Sequence, residues 1–331
     1  MARRRKMIRV FGENAGPAAQ KKFSGNCNAN VKNKKKLLGI GLDGSKCILT
    51  VVNVSGDITA TEKIEISPLS LFKGKRKELK QILEKISAGT SFTGETFHSA
   101  GIAVAEKMSR LNVKSGDILA RGIKRLFNCD VLLVREATAA GYGEKESGKY
   151  SAKTSMLYLH SDVGAGVMMK NETFFEGEPD DDKRSGRRYL SSWEQFDIVA
   201  TAKKLVNKGV GTDIVDMVSG NTDDITLETV LKAAEKNDEL ADDLVKRSGL
   251  ALGVRTAYLV NMFDPEIVIL GGGTRGAEGI FARSVKESMK PFLLKERIES
   301  VEIVPATLGS EASSIGAALL CRRELFMEVQ S

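Results

Sequence analysis

The sequence predicts an α/β protein with two similar domains, and three observations lead to this prediction. Short apolar runs such as "SAGIAVA" and "DVLLV" alternate with amphipathic stretches such as "KGKRKELKQILEKIS", which is typical of a mainly parallel sheet covered by helices. A pattern of two strands joined by a small-residue turn occurs twice, at 39–54 and 156–170. Aromatic residues make up only 6% of the chain, so the cores must be mostly aliphatic. We therefore expect two α/β domains that face a cleft.

The predicted elements follow one another in a regular order. The segment 36–66 predicts three strands with tight turns, because its apolar runs end in Asp-Gly-Ser and in Val-Ser-Gly-Asp. A helix, a buried strand, a second helix and the strand "DVLLV" follow. A second strand set begins at "SMLYLH", with helices after it at about 191–208, 226–236 and "ADDLVKRSGLALGVRTAYLVNMF". The chain closes with the strand "EIVILGGG", the helix "AEGIFARSVKESM", the strand "VEIVPATL" and the helix "SEASSIGAALLCRREL".

The net charge of +7 is unevenly distributed along the chain. Residues 1–36 contain eleven Lys or Arg and one Glu, so the rest of the chain sums to −3. This segment has no sustained period of 3.6 or 2, and we predict that it is a basic arm that is disordered or weakly ordered. Two interpretations of the arm stay open: a solvated tail, or a non-specific contact with nucleic acid through phosphate neutralisation.

Cysteine and histidine usage argues against a metal centre. The four cysteines lie far apart without a Cys-x-x-Cys pair, and only two histidines are present, so we expect no zinc site and no disulfide framework. No apolar run reaches the roughly 18 residues that span a membrane, and no apolar segment follows the charged N-terminus as in a signal peptide. The predicted location is the cytoplasm, with no membrane partner.

Three glycine-containing turns follow predicted strands, and together they indicate a phosphate or nucleotide site. They are "GLDGSK", "SDVGAG" and "GGG". Glycine after a strand lets backbone N–H groups approach phosphate oxygens. The candidate phosphate-binding residues are Gly44, Ser45, Lys46, Gly164, Gly166, Gly271, Gly272 and Gly273. Phosphoryl transfer also needs a base, and Glu136 is the carboxylate that ends a buried strand.

The C-terminal segments "LVNMFDPEIVILGGG" and "VEIVPATLGSEASSIGAALL" resemble the ROK family of repressors, open reading frames and sugar kinases. "ITLETVLKAAEKNDELADDLVKRSGLALGVRTAYLVN" fits the family's helical stretch, and "LLGIGLDGSKCILTVVNVSGDI" fits its opening strands. The resemblance covers about 37–325. It implies the two-domain fold of the sugar kinase, hexokinase and actin ATPase group with a central cleft. The implied boundaries are 37–134 plus about 313–331 for one domain and 135–312 for the other.

Several positions depart from the pattern of active kinases in the family. Those kinases open with Asp-x-Gly-Gly-Thr-Lys, whereas here Gly41 takes the place of the leading Asp and Asp43 that of a glycine. The second phosphate turn carries another carboxylate, Asp162, where triphosphate would lie. At the sugar motif, Glu136 replaces the catalytic Asp and Arg135 replaces an Asn that binds sugar. The zinc segment and the helix-turn-helix domain of family repressors are also missing from the sequence.

The resemblance therefore implies a degenerate member of the family, and three functions stay open. The first is a non-catalytic or weakly active protein that binds a sugar or related ligand in a regulatory role. The second is an ATP-dependent kinase for a hexose or N-acetyl amino sugar, with Mg-ATP as cofactor and Glu136 as the base. The third is a scaffolding protein with an empty cleft. The expected ligand contacts are Arg135, Glu136 and Thr138, and family members often form homo-oligomers.

Overall fold

The computed structural model describes residues 8–10, 36–43, 46–66, 76–104, 113–160, 165–170, 173–176, 198–272 and 280–330. The chain divides into two compact units, which we call unit 1 (Met1–Ser151 with Ser310–Ser331) and unit 2 (Ala152–Gly309). Each unit contains a mixed sheet and several helices. The α/β class that the sequence predicts is therefore confirmed.

The strands and helices of the described residues are numbered in chain order. The strands are β1 (Ile8–Val10), β2 (Lys36–Asp43), β3 (Lys46–Asn53), β4 (Ile58–Glu65), β5 (Phe97–Val104), β6 (Asp130–Arg135), β7 (Ser155–His160), β8 (Ala165–Lys170), β9 (Thr173–Glu176), β10 (Ile267–Gly271) and β11 (Glu302–Pro305). The helices are α1 (Arg76–Gly89), α2 (Val113–Phe127), α3 (Glu136–Ser147), α4 (Ile198–Val206), α5 (Ile214–Met217), α6 (Leu227–Glu235), α7 (Glu239–Phe263), α8 (Ile280–Met289) and α9 (Ala312–Gln330). None of these helices is both long and apolar enough to cross a membrane.

Unit 1 is built on a six-stranded sheet in the order β1-β6-β5-β2-β3-β4. β2, β5, β6 and β1 run parallel to one another, whereas β3 and β4 are antiparallel to their neighbours. The three strands β2 to β4 form the meander that the turn signals of this segment predict. The parallel strands then follow on the other side of β2.

Successive residues of β2 point to opposite faces of this sheet. Leu38 and Ile40 belong to a core cluster that includes apolar residues of α1 and α2. Gly39 and Gly41 lie on the other face, against α9, where a Cβ atom on Gly39 would fall 1.8 Å from the carbonyl oxygen of Ser314. Glycine is needed here because the helix backbone lies directly on the strand.

Helix α3 packs on α9 in the same close manner. A Cβ atom on Gly316 would lie 1.6 Å from the carbonyl oxygen of Ala139, and one on Gly143 would lie 2.5 Å from that of Ala312. This contact keeps α3 in unit 1, so the unit extends to Ser151. The sequence-based boundary at 134/135 differs because it ends the domain at β6 and leaves out the helix that follows.

Unit 2 repeats the strand pattern of unit 1. Its five-stranded sheet has the order β11-β10-β7-β8-β9, with β7, β10 and β11 parallel and with β8 and β9 antiparallel. Helices α4 to α8 contribute to a separate core cluster with buried residues of β7 and β10. In each unit a three-strand meander is followed by parallel strands on the other side of its first strand. The internal repeat that the sequence indicates is therefore confirmed.

The segment 1–36, predicted to be a disordered or weakly ordered arm, contains strand residues at two places. Ile8–Val10 form β1, which pairs in parallel with β6 so that Val10 lies opposite Leu133, and Lys36 is the first residue of β2. Ile and Val are β-branched and alternate with Arg9, which suits an edge strand although three residues are too few to show a period. Residues 11–35 lie outside the described residues, and nucleic-acid contact by the arm stays a prediction.

Candidate functional site

The carboxyl ends of the parallel strands in unit 1 meet at one edge of the sheet. The strand register places Gly41 opposite Ala103 and Val104 opposite Arg135. The hairpin between β2 and β3 turns at the same edge, with Asp43 opposite Lys46. The two described ends of the first predicted phosphate turn, Asp43 and Lys46, therefore lie at the same edge as Arg135 and Glu136 at the end of β6.

Arg135 and Glu136 lie where β6 becomes α3. Arg135 ends the strand with extended backbone angles (φ −69°, ψ 142°), and Glu136 is the first helical residue. Both side chains are half-buried, and both interact with neighbouring groups. A carboxylate in the first turn of a helix is favoured by the helix dipole, so Glu136 is compatible with this position. The edge thus presents one guanidinium and one carboxylate from adjacent residues.

Thr138 differs from these two residues because it is buried. Its side chain is 1% exposed, in a stretch of α3 where every residue from Ala137 to Glu144 is buried. The small side chains of "ATAAG" let this helix lie between other elements, in close contact with α9. The three predicted ligand contacts are therefore split between two half-buried residues at the edge and one residue inside the packed helix.

Lys46 begins β3 and has an exposed side chain. Its Nζ lies 3.7 Å from Oε1 of Glu65, the residue directly opposite on β4. An ion pair between two such exposed groups stabilises little, about 0–1 kcal/mol. Gly44 and Ser45, the other members of the first phosphate turn, lie outside the described residues.

The space beside Gly41 is filled by a residue that the sequence analysis did not single out. A Cβ atom at Gly41 would lie 2.5 Å from the Ser313 hydroxyl oxygen and 3.0 Å from the backbone nitrogen of Ser314. The next serine, Ser314, hydrogen-bonds through its hydroxyl to Thr50 of β3 at 2.7 Å. The signal in the sequence is the polar pair in "ASSIGAALL", an otherwise apolar stretch of the helix. A side chain at Gly41 would require the Ser313 hydroxyl to move.

Helix α9 begins at the same edge of unit 1. Ser313 contacts Gly41 near the end of β2, whereas Ala318 lies near Gly39, so the helix runs from the carboxyl edge towards the amino edge. Just before it, Lys63 of β4 forms an ion pair with Glu311 at 2.7 Å. Together with α3, this gives two helix N-termini at the edge, each with backbone N–H groups that favour acceptors and negative charge.

The carboxyl edge of unit 2 holds the other predicted glycines. The register places Gly271, the last residue of β10, opposite His160, the last residue of β7. A Cβ atom on Gly271 would lie 2.0 Å from the phenol oxygen of Tyr158, so this glycine is required by packing. Gly272 has φ +87°, a left-handed conformation that favours glycine.

Two of the remaining predicted glycines lie outside the described residues, and one lies within a strand. Gly164 and Gly273 are not described. Gly166 is the second residue of β8 and pairs with Leu159, so the structure places it in the ladder and not in the turn that precedes it. The phosphate-binding role of all eight residues stays a prediction.

Metal ligation finds no support among the described residues, which include no group of three His, Cys, Asp or Glu side chains suited to hold an ion. Cys47, Cys129 and Cys321 are buried thiols that form no disulfide bond. Burial raises the pKa of Cys47 to about 12 and that of Cys321 also to about 12, so neither is a ready thiolate ligand. The segment around Arg188, where the zinc motif of the resemblance would lie, is outside the described residues.

Comparison with known proteins finds similarity to one family. Residues 200–324 match the family model described as ROK family. The chain is 26% identical over 225 residues to the xylose repressor of Caldicellulosiruptor bescii. The aligned segment covers 62% of this chain and 55% of the repressor. The chain thus spans about half the length of this relative.

Solved structures match over most of the chain. A ROK family glucokinase from Streptomyces griseus, in complex with glucose and AMPPNP, has a TM-score of 0.67 at 22% identity, covering 87% of this chain and 99% of the glucokinase. A ROK family transcriptional regulator, a homologue of the Escherichia coli MLC protein, has a TM-score of 0.62 at 17% identity, covering 89% of this chain and 79% of the regulator. These matches confirm the sugar kinase and actin-like ATPase fold. The chain is thus similar to ROK family proteins, and the family model matches its residues 200–324.

Proposed function

We propose that this protein binds a neutral sugar at the carboxyl edge of unit 1 and acts as a regulator without transferring phosphate. The observation that carries the proposal is Gly41, at the end of β2, with the Ser313 hydroxyl in the space that a side chain would need. Phosphoryl transfer requires carboxylates that hold Mg²⁺ against the phosphates. At the position of the family's leading Asp, this chain has no carboxylate, and any side chain there would require the Ser313 hydroxyl to move.

The charged groups of the edge support sugar binding better than triphosphate binding. Asp43 ends β2 at the turn where the phosphates of a nucleotide are expected, and its negative charge would repel them. Arg135 and Glu136 offer a donor and an acceptor side by side, and such groups can hydrogen-bond to the hydroxyls of a sugar. Relatives named as a xylose repressor and as a glucokinase with bound glucose point to a sugar as the ligand class.

Titration calorimetry on the full chain tests the two halves of this proposal separately. D-xylose, D-glucose and N-acetyl-D-glucosamine are titrated first, and Mg-ATP is titrated at millimolar concentration with and without each sugar. We expect heat from at least one sugar and none from Mg-ATP. Tight Mg-ATP binding would overturn the non-catalytic assignment, whereas silence from every sugar would overturn the ligand class and favour a scaffolding role.

A matched pair of variants tests the position of the sugar site. Replacing the carboxylate in Glu136→Gln should weaken sugar binding about tenfold or more, because a hydrogen bond to a charged group is worth about 1.5–3 kcal/mol. Glu146 lies on the same helix and is exposed, so Glu146→Gln is the control and should bind as the wild type does. Equal affinities of the two variants would place the sugar elsewhere.

A weakly active sugar kinase is the second candidate, and the position of Glu136 favours it. This carboxylate lies at the end of β6 and opens α3, where the resemblance implies the catalytic base. Compared with Asp, Glu shifts the carboxylate by about one methylene, and a displacement of about 1 Å can cost roughly a hundredfold in rate. If this candidate is right, Glu136→Asp should raise sugar-dependent ADP release and Glu136→Gln should abolish it. An assay without any sugar-dependent ADP excludes the candidate.

A further inference from the structure

The N-terminal strand β1 is the shortest strand of the sheet in unit 1. It has three residues, Ile8–Val10, whereas the other five strands of that sheet have six or eight. It lies at one edge of the sheet, pairs in parallel with β6 and contacts α2. Parallel pairing is slightly less stable per residue than antiparallel pairing. Short edge elements of this kind are among the first to open in a folded protein.

The opposite edge of the same sheet is held more firmly. β4 has eight residues and follows β3 through a tight turn. In this turn Gly56 donates a backbone hydrogen bond to Asn53 at 3.1 Å, and Asn53 donates one to Asp57 at 3.0 Å. β1, in contrast, is separated from β2 by the 25 residues of 11–35, and its partner β6 begins only at Asp130. β1 can therefore leave the sheet without opening another strand.

The pairing of β1 is a near balance between ordering and bonding. Ordering the backbone of three residues removes conformational entropy, and this cost applies to every residue. The return comes from a short ladder of hydrogen bonds, each of small net value, and from the strand preference of β-branched Ile8 and Val10. A ligand shifts such an equilibrium readily when it binds the two states with different affinity.

The strand that β1 pairs with leads directly to the candidate sugar site. The register places Val10 opposite Leu133 of β6. Two residues further along, Arg135 ends β6, and Glu136 follows as the first residue of α3. The guanidinium and the carboxylate proposed to hold the sugar are therefore carried by the end of this strand.

Pairing with β1 turns β6 from an edge strand into an internal strand. On its other side, β6 pairs with β5 over its whole length, from Asp130 to Arg135. With β1 in place, residues 131–133 are paired on both sides. A strand that is held on both sides has less conformational freedom, and groups that are already positioned bind a ligand at a lower entropy cost. Docking of β1 therefore favours binding at the end of β6.

β6 itself keeps its place in the core without β1. Val131 and Leu133 belong to the core cluster that includes apolar residues of α1 and α2. Lys124 of α2 forms an ion pair with Asp130, the first residue of β6, at 3.2 Å. Release of β1 therefore leaves unit 1 folded and changes only the freedom of β6, as a switch requires.

We propose that β1 is a detachable edge strand whose pairing with β6 is coupled to ligand binding at Arg135 and Glu136. This inference rests on the sugar site proposed above and adds its regulation. Sugar favours the docked strand, because both act on β6. Without sugar, β1 leaves the sheet more often and frees the first ten residues, which carry five Lys or Arg side chains. The coupling is reciprocal, so docking tightens sugar binding by the same factor by which sugar stabilises docking.

Hydrogen exchange on the full chain measures the docking of β1 directly. The probe is whichever of D-xylose, D-glucose and N-acetyl-D-glucosamine gives the most heat in calorimetry. At saturation it should slow exchange of the Ile8–Val10 amides about fivefold, the lower end of the usual range of coupling between two sites. The amides of β4, at the opposite edge, are the control and should not change.

The two proposals fail in different ways in this experiment. No heat from any of the three sugars would refute the sugar site itself, and with it the coupling. Heat together with unchanged exchange at Ile8–Val10 would overturn the coupling and leave the sugar site standing. Slower exchange at β1 and β4 alike would show a general stabilisation of unit 1, which also overturns the coupling.

A set of matched variants tests the reciprocal effect on affinity. Ile8→Gly/Val10→Gly removes two β-branched side chains and adds backbone freedom, so it should prevent docking. It should bind the same sugar about fivefold more weakly, with an unchanged circular dichroism spectrum. Val31→Gly makes the same kind of change between β1 and β2, and Ile8→Val/Val10→Ile keeps both β-branched positions. Both controls should bind as the wild type does.

Agreement between the two factors separates coupling from a merely structural role. The loss of affinity in the glycine variant should equal the sugar-dependent slowing of exchange at Ile8–Val10, because both measure one coupling free energy. A loss of affinity without slower exchange would assign β1 a structural role and overturn the proposal. Equal affinities of the glycine variant and the Val31→Gly control would overturn it as well.

Discussion

Gly41 in unit 1 and Gly271 in unit 2 occupy similar places, and their surroundings differ in a way that bears on function. Each lies at the carboxyl end of a parallel strand, and each is packed against a hydroxyl group from a neighbouring element. At Gly41 the neighbour is the single Oγ atom of Ser313. At Gly271 the neighbour is the whole phenol end of Tyr158, with ring atoms 2.4 and 2.7 Å from the position of a Cβ atom.

This difference shows which glycine can change and which cannot. Removing one Ser side-chain atom would open the space at Gly41, where the next nearest atom lies 3.0 Å away. The Tyr158 ring is rigid and belongs to a strand, so removing or displacing it would cost more stability than removing the Ser313 hydroxyl. A side chain at the end of β2 is therefore accessible through one compensating substitution, whereas Gly271 is fixed by the core of unit 2.

The largest effect is expected for Gly271→Ala, which forces a methyl group into the Tyr158 ring. Overpacking of this kind costs about 3 kcal/mol of unfolding free energy, measured by urea denaturation. Adding Tyr158→Phe should not restore stability, because the ring carbons remain too close. Gly211→Ala is the matched control in unit 2, since a Cβ atom there meets nothing within 4 Å. Full rescue by the Phe variant would show that the hydroxyl alone matters and would break the contrast with Gly41.

A smaller and reversible effect is expected for Gly41→Ala. The clash with the Ser313 hydroxyl should cost about 1–2 kcal/mol, and Ser313→Gly in the same chain should recover most of it. A double-mutant cycle with both single variants measures this coupling as the departure from additivity. If the two effects simply add, the Ser313 hydroxyl does not fill the space beside Gly41.

The next effect in size is expected for Gly272→Ala, which tests backbone strain. Its φ of +87° should cost an L-residue about 1 kcal/mol. Gly209 has φ +85° and open space around its Cα, so Gly209→Ala measures the strain alone. Equal losses in thermal unfolding would show that only the backbone conformation requires the second glycine of "GGG". A much larger loss at Gly272 would reveal a packing requirement there as well.

The smallest effect is a change in thiol labelling that compares the two units. Cys47, Cys129 and Cys321 all belong to unit 1, and burial raises the pKa of Cys47 and Cys321 to about 12. In a Cys27→Ser background at pH 8, the rate at which a thiol reagent labels these cysteines should therefore be limited by local unfolding of unit 1. Gly41→Ala should accelerate it about tenfold for each 1.4 kcal/mol lost, and Gly271→Ala should not. Equal acceleration by both variants would mean that the units unfold together.

The Arg135–Glu136 pair shows how far pattern analysis reaches. The apolar run that ends at Val134 predicts a buried strand, and the turn to a helix after it follows from "EATAAG". The position of the pair at the carboxyl edge then follows from the parallel order of β5 and β6. Burial of Thr138 could not be predicted, because the helix that contains it packs against α9, which is more than 170 residues later in the chain.

Helix α9 also shows that sequence patterns predict an element but not its packing partners. A helix over "SEASSIGAALLCRREL" is predicted from its composition, and the observed α9 covers Ala312–Gln330. Its partners Gly39, Gly101 and Gly143 come from three separate elements, and only the folded chain brings them within contact of one helix. The same long-range contacts explain why Ser313 was not identified as a neighbour of the first glycine turn.

The sequence by itself determined the α/β class, the twofold repeat of strands and the family resemblance, because periodicity and turn residues act over a few positions. The tertiary structure decided which glycines are required by packing, which predicted ligand residues are buried, and that Ile8–Val10 join the sheet. These outcomes depend on contacts between residues far apart in the chain. No local pattern encodes the distance between Gly41 and Ser313. The sequence therefore shows that Gly41 stands where the resemblance implies an Asp, but it does not show that the Ser313 hydroxyl lies beside Gly41.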